Sequence, residues 1–294
     1  MSRKLLPGMT LLALLALLCA AGCAKDSATS NGDSDTTTNS NASHDPAPAT
    51  VEYHWYALAM PILPGKEEAA KAFCKQACTT RLEAVKDYGK STHMMGEYMC
   101  FQASPKPGEV PAMICLWQRV GADHMKLWME SESETSKWVI DSVKDLSGMD
   151  LKAMMADPEM KPNQFVGYRE TGESMDGAQT AVLCFPVLPG MTEKWLAACA
   201  VLWSDEKKAE WMESRKAFGV VAEGCFLQHT PNGDFAIVLH RARDLSKMMP
   251  AMWASTNKFD VWFKENVLPC HGLDTTKPMP PMPANEFLGE WWVE

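Results

Sequence analysis

The segment Met60-Pro61-Ile62-Leu63-Pro64-Gly65 recurs 125 residues later as Phe185-Pro186-Val187-Leu188-Pro189-Gly190. At the same offset Cys74 falls on Cys199, and Cys100-Phe101 falls on Cys225-Phe226. Further along, residues 148–150 match residues 272–274, and residues 163–167 match residues 285–289 after small deletions. Because order and spacing agree from the first match to the last, the sequence predicts that one structural unit occurs twice in the chain.

Each half shows the same succession of patterns. A short apolar run precedes the Leu-Pro-Gly turn, and helical periodicity follows that turn. Two extended runs joined by a turn-forming loop then predict a hairpin, and a broken helical stretch leads into a short closing strand. The predicted segments are 55–60, 94–103, 112–119, 123–146 and 165–168 in the first half, and 181–185, 221–229, 235–241, 244–268 and 287–292 in the second.

This order, βαββαβ, is that of a ferredoxin-like unit, an antiparallel sheet with helices on one face. We therefore predict an α+β fold made of two tandem ferredoxin-like repeats, residues 51–172 and 178–294. One unit alone would leave the second face of its sheet apolar and uncovered. Two units in one chain can bury these faces against each other, which predicts an intrachain α+β barrel.

The amino-terminal region predicts a secreted protein with a lipid anchor. Arg3 and Lys4 precede an apolar run, residues 11–18, that is too short to span a bilayer. Residues 20–23, Ala-Ala-Gly-Cys, resemble a bacterial lipobox, so residues 1–22 are predicted to be a signal peptide and Cys23 the lipidated residue. Ordinary cleavage, which would release a soluble periplasmic protein, is the alternative.

Residues 23–50 are predicted to be a disordered tether, because they contain almost nothing to bury. Ala24 stands where an Asp would signal retention in the inner membrane of a Gram-negative cell. The expected location is therefore the cell envelope, at the periplasmic face of the outer membrane.

Charge and cysteine content restrict the partners. The chain has 28 basic and 37 acidic side chains, so nucleic acid, which needs a basic face, is not an expected partner. Of the ten cysteines, all but Cys19 and Cys23 lie in the folded region, where they are either disulfide-bonded or buried thiols. Their spacing does not suggest a metal site, and no metal is expected.

Titratable residues concentrate in the second half, where Arg215, Glu223, His229, His240 and His271 are the candidate ligand-binding or catalytic residues. In the duplication, Arg215 corresponds to Lys90 of the first half and His229 corresponds to Ser104. His240 corresponds to Trp117, and His271 corresponds to Ser147. Alternation along residues 221–229 places Glu223 and His229 on one strand face. Such a pair is suited to proton transfer or to the orientation of a ligand in a cavity, but a rim pair that hydrogen-bonds loops is the favoured interpretation.

His271 ends the last predicted helix, where a cation suits the helix dipole. A helix-borne His can instead be an axial haem ligand, but the sequence has no motif for covalent haem and requires no cofactor. The many methionines are soft ligands for Cu(I), yet their dispersal among apolar positions favours a packing role.

The second half resembles a bacterial branch of the dimeric α+β barrel proteins, which include antibiotic-biosynthesis-type monooxygenases and haem-handling relatives. The resemblance rests on residues 186–190, Ser214-Arg215, Glu223, 226–235 and 259–263. It implies the barrel fold but carries over no catalytic residue. From the sequence we expect a lipid-anchored envelope protein that binds a small apolar ligand in its second repeat. The alternatives are a cofactor-independent monooxygenase-like enzyme and an envelope scaffold with an interaction surface.

Overall fold

The computed structural model describes residues 53–104, 110–121, 124–157 and 161–294. Over this part of the chain, the strands form two four-stranded antiparallel sheets with helices packed on them, which confirms the α+β class. The predicted signal peptide, Cys23, the tether and the turn at residues 105–108 lie outside the described residues. Within them, no helix is both long and apolar enough to cross a membrane.

In the first half, strand β1 leads through the turn at Gly65, whose φ of 80° suits glycine, into two helices. A hairpin follows, then three helices and a strand. The elements are β1 (Tyr53–Pro61), α1 (Glu67–Ala77), α2 (Leu82–Thr92), β2 (Met94–Gln102), β3 (Ala112–Val120), α3 (His124–Glu130), α4 (Glu134–Ser147), α5 (Leu151–Met155) and β4 (Gln164–Glu170).

The second half repeats this order, with a short 3-10 turn in place of α5. Its turn glycine, Gly190, has a φ of 78°. The elements are β5 (Gln179–Pro186), α6 (Thr192–Leu202), α7 (Lys208–Ala217), β6 (Val220–Thr230), β7 (Gly233–Ala242), α8 (Leu245–Ala254), α9 (Lys258–Asn266), the 3-10 turn (Leu268–His271) and β8 (Asn285–Trp292).

The hairpins and the broken second helices are as predicted, whereas the first predicted helix of each half is in fact two helices. The closing strands also differ from the prediction. The sheets are ordered β1-β3-β2-β8 and β4-β6-β7-β5, so each closing strand joins the sheet of the other half. The prediction that each strand closes its own half is therefore wrong, because alternation identifies a strand but not its partner.

The two sheets pack face to face. Their shared core includes Ala57 and Ile114 from the first sheet and Phe226 and Ile237 from the second. Alternate residues of the same strands face the helices, where a separate apolar cluster fills each half.

Side-chain amides connect the two sheets. The Gln228 side chain exchanges two hydrogen bonds with the backbone of Ala59, at 2.8 and 3.0 Å. The Gln102 side chain makes the same pair of bonds with Cys184, at 2.8 and 2.9 Å. These contacts fix the relative register of the sheets because a buried peptide group needs a partner.

The pairing registers of the two sheets match throughout. Glu97 lies opposite Trp117 and Trp291, and Glu223 lies opposite His240 and Arg169. In this register Cys100 matches Phe226, not Cys225, so the sequence match between Cys100 and Cys225 is displaced by one residue. Because a one-residue shift moves a side chain to the other sheet face, the displacement changes which residues face each cavity.

Candidate functional site

The helices of the second half cover an apolar cavity above their sheet. The cavity has a volume of about 70 Å³, and one water needs about 10–15 Å³. Its walls include residues from α6, α8, α9, β5, β6 and β7. They are Trp195, Leu202, Met249, Met252, Phe263, Phe185, Glu223, Cys225, Val238 and His240.

An ion pair lies at the sheet side of this cavity. Helix α7 buries Trp211, Ser214 and Arg215 on one face, because residues three and four apart share a helix face. The Nε of Arg215 donates to Oε2 of Glu223 at 2.5 Å, and the indole of Trp211 donates to the same oxygen at 3.2 Å. Burial alone would raise the pKa of Glu223, but the charge of Arg215 and the contact with His240 hold it well below its ordinary value.

Arg215 is held on its other sides as well. Its Nη1 lies 3.6 Å from Oδ1 of Asp260, which also accepts a hydrogen bond from Ser214. Its guanidinium lies over the rings of Phe259 and Phe263, at 5.4 and 5.3 Å from their centroids. The pair is thus fully desolvated and keeps Glu223 ionised, so Glu223 does not accept a proton near neutral pH.

His240 connects this ion pair to the cavity. Its Nε2 lies 3.6 Å from Oε1 of Glu223, and it faces Glu223 across the β6–β7 ladder. Its Nδ1 is buried without a hydrogen-bond partner among the described residues. With Nε2 toward a carboxylate, the neutral tautomer leaves Nδ1 as an acceptor.

Two indoles of the cavity wall are hydrogen-bond donors, whereas Nδ1 of His240 is an acceptor. The Nε1 atoms of Trp195 and Trp203 are buried and have no hydrogen-bond partner within the described part of the chain. Buried polar atoms are rarely left unpaired in folded proteins. Trp195, Trp203 and His240 all line the cavity, so these three nitrogens are the candidate hydrogen-bonding groups for a molecule inside it.

His271 also lines this cavity, from the end of the 3-10 turn. Its Nδ1 lies 2.8 Å from the carbonyl oxygen of Pro186 and donates to it, since a carbonyl can only accept. Burial lowers the pKa of His271 below its ordinary value of 6.5, against the effect of this hydrogen bond. His271 is therefore neutral at pH 7.

His229 lies elsewhere. Its ring nitrogens contact Asp234 Oδ1 at 2.8 Å and Gln164 Nε2 at 3.1 Å, and the residue does not line the cavity. It shares a strand face with Glu223, as predicted, but the two are six positions apart, about 20 Å along an extended strand. The predicted Glu223–His229 proton-transfer pair is therefore wrong, and the histidine next to Glu223 is His240.

The first half has a matching cavity, of about 60 Å³, which the sequence did not reveal. Glu97 occupies the position of Glu223, and its Oε2 accepts a hydrogen bond from the indole of Trp291 at 3.2 Å. Burial raises the pKa of Glu97 to about 7, although hydrogen bonds from Cys115 and Trp291 favour the ionised form. No basic side chain forms an ion pair with Glu97 in the described part of the chain.

The absence of a basic partner follows from the residues on α2. The buried positions Val85, Tyr88 and Gly89 of α2 match Trp211, Ser214 and Arg215 of α7, so Gly89, and not Lys90, occupies the place of Arg215. A Cβ on Gly89 would lie 2.8 Å from the Trp291 ring. The neutral indole of Trp291 thus fills the space next to Glu97. The spacing of the buried residues along α2 and α7 identifies this match.

The eight cysteines of the folded region are free thiols, and six of them are buried. Among the described residues, no group of three or more His, Cys, Asp or Glu side chains is placed to hold a metal ion. Haem does not fit the second cavity either. His271 and several Met thioethers line it, but its enclosed space is far smaller than a porphyrin ring.

The fold and the site define an α+β protein with a helix-covered cavity on each sheet. No protein-family model and no curated protein sequence matches the chain. Among solved structures, an anthrone oxidase-like protein shows 11% identity and a TM-score of 0.49, covering 82% of this chain and 93% of its own. These values do not assign a function.

Two further structures belong to candidate monooxygenases. The one from Fusobacterium nucleatum shows 9% identity and a TM-score of 0.43, covering 82% of this chain and 94% of its own. The one from Lactobacillus acidophilus shows 9% identity and a TM-score of 0.38, covering 82% and 96%.

Proposed function

We propose that the cavity of the second half binds a small, mostly apolar molecule, and that this molecule is aromatic and carries a hydroxyl group. The observation that supports this most directly is the set of unpartnered buried nitrogens at Trp195, Trp203 and His240. A hydroxyl can donate to Nδ1 of His240 and accept from an indole N–H. The aromatic and Met side chains of the wall suit a planar apolar body.

Phenol and toluene test this proposal because they have the same shape and differ only in the hydroxyl. Calorimetric titration should show phenol binding about 5- to 100-fold more tightly than toluene, the value of one buried hydrogen bond. In His240→Phe the preference for phenol should fall, because the hydroxyl loses its acceptor and keeps only an indole donor, while toluene binding is kept.

His229→Ala is the matched control, since His229 lies outside the cavity, and it should bind both compounds as the wild type does. Equal affinity of the wild type for phenol and toluene would contradict the proposal. So would a preference for phenol that is as large in His240→Phe as in the wild type.

A second candidate function is proton abstraction by His240 in a cofactor-independent oxygenase. The Glu223 contact at Nε2 supports it, because a carboxylate stabilises the imidazolium formed when Nδ1 takes a proton. The substrate O–H would break, the proton would move to Nδ1, and a phenolate would remain for reaction with dioxygen. Turnover of an oxidisable phenol, measured as oxygen uptake, should vanish in His240→Ala and persist in His229→Ala. Uptake that survives in His240→Ala would contradict this role.

We also propose that the chain consists of two copies of one ferredoxin-like unit that form a single α+β barrel, with boundaries near residues 51–172 and 178–294. Support comes from the matched sheet registers and from the matched amide contacts of Gln102 and Gln228. The exchanged closing strands modify this picture, since each unit is completed by a strand of the other.

Finally, we propose that Cys23 is lipidated and holds the domain at the periplasmic face of the outer membrane. In a Gram-negative host the wild type should partition with membranes and carry a lipid mass on its amino-terminal peptide. Cys23→Ser should lose the lipid mass, whereas Cys19→Ser should keep it. A wild-type chain without lipid, or a lipidated Cys23→Ser chain, would contradict the assignment.

A further inference from the structure

The first-half cavity places a carboxyl group among aromatic rings. Trp117 and Trp291 face Glu97 from the two neighbouring strands, where directly opposed side chains lie about 4.5–5.5 Å apart at Cβ. Tyr88, Trp128 and Trp138 close the cavity from three helices. Glu97 is only partly buried, and it lines the cavity.

The second half shows how this fold satisfies a carboxylate at that position. There the guanidinium of Arg215 donates to Glu223 and lies over two Phe rings. Glu223 has three basic neighbours, which are His240, Arg169 and Arg215. The equivalent positions around Glu97 hold Trp117, Trp291 and Gly89, in that order. The first-half cavity therefore has the carboxyl group of Glu97 and the surrounding aromatic rings, but Gly89 stands in the position of the cation, Arg215.

We propose that the first-half cavity binds a small organic cation of the guanidinium or alkylammonium class, with Glu97 as its counter-ion and the indoles as cation–π partners. This inference is independent of the second-half function. A cation between a carboxylate and aromatic faces gains both a charge-assisted hydrogen bond and attraction to the rings. The cavity, with room for about four to six waters, suits an ion of a few heavy atoms.

The other ionisable groups around Glu97 do not change charge near neutral pH. Tyr88 on α2, Cys74 and Cys78 on α1 and Cys115 on β3 surround it, and burial raises the pKa of all four. Two Arg side chains border the region, and each lies over an aromatic ring. They are Arg81 on Trp138 and Arg119 on Tyr56. Ionisation of Glu97 therefore controls the charge of the cavity between pH 5.5 and 8.5.

The test uses methylguanidinium and methylurea, which share size and shape and differ in charge. Tryptophan fluorescence of the intact domain should saturate with methylguanidinium at pH 8.5, with little response to methylurea. At pH 5.5 the Kd should rise about 30-fold, because only the ionised fraction of Glu97 binds. Glu97→Gln should weaken binding about 10- to 100-fold and abolish the pH dependence.

Glu290→Gln is the matched control, since it removes a carboxylate from the exposed side of β8 outside the cavity. It should bind methylguanidinium as the wild type does. Equal responses to methylguanidinium and methylurea, or unchanged binding in Glu97→Gln, would overturn the proposal. Binding that strengthens as the pH falls would overturn it as well.

Discussion

Glu97 and Glu223 occupy the same place in the two sheets but have opposite electrostatic surroundings. Glu223 has Arg215 as a partner, and its pKa lies well below the ordinary value. Glu97 has a neutral indole as a partner, and its pKa is raised to about 7. The same substitution at these two positions should therefore have opposite effects on stability.

Glu223→Gln should destabilise the protein by about 3–5 kcal/mol, because it leaves the buried charge of Arg215 without its principal partner. Chemical denaturation at pH 7 measures the change in the free energy of unfolding. A loss below 1 kcal/mol would show that the ion pair is not buried as described.

Glu97→Gln should stabilise the protein at pH 8. A carboxyl whose pKa is raised from 4.5 to about 7 on folding holds more protons in the native state, so its contribution to stability falls as the pH rises between these values. The stability difference between wild type and Glu97→Gln should therefore change across pH 4.5–7. A difference independent of pH would contradict the raised pKa.

At this scale the sequence pointed to several residues at the second cavity and missed the first cavity. His240, Arg215 and His271 were candidates because they differ between the halves, and Glu223 because of strand alternation. Glu223, His240 and His271 line the second cavity. Glu97 was missed because the offset of 125 aligned it with Ala222. The buried positions of α2 and α7 show that the offset increases by one after the first helix.

At the scale of elements, the exchange of β4 and β8 connects the two halves. Leu288 of β8 packs into the core of the first half, and Val166 of β4 packs against that of the second. Strand alternation predicted both strands, but either sheet offers an edge with the same hydrogen-bonding groups. The sequence pattern therefore could not tell which sheet each strand completes.

Because β4 and β8 are exchanged, a substitution in either strand should weaken the sheet of the other half. Leu288→Asp should lower amide protection from hydrogen exchange in β2, and Val166→Asp should lower it in β6, because a charge destabilises the strand that carries it. Mass-spectrometric hydrogen exchange resolves these strands. Loss of protection in β6 for Leu288→Asp would show that β8 closes its own half.

At the scale of the whole molecule, the buried face between the sheets makes the two halves one unit. The apolar pattern of the strands predicted this face, whereas the amide contacts of Gln102 and Gln228 depend on how the sheets are placed and were not predicted. The amides join strands that are far apart in the sequence.

Gln102→Met and Gln228→Met should each cost about 1–3 kcal/mol, because each leaves buried peptide groups unpaired. The two losses should be similar, and each variant should still unfold in one transition in denaturant. Gln76→Met, on the exposed surface of α1, is the control and should change stability by less than about 0.5 kcal/mol. A variant that unfolds in two separate steps would show that the halves are independent.

The central claim is that the second-half cavity receives an aromatic hydroxyl compound at Trp195, Trp203 and His240. Indole N–H resonances of the ¹⁵N-tryptophan-labelled protein, assigned with Trp195→Phe and Trp203→Phe variants, test it most directly. On titration with phenol, the Trp195 and Trp203 signals should shift together to a common saturation point, and toluene should shift them less. Unmoved Trp195 and Trp203 signals at saturating phenol would contradict the account.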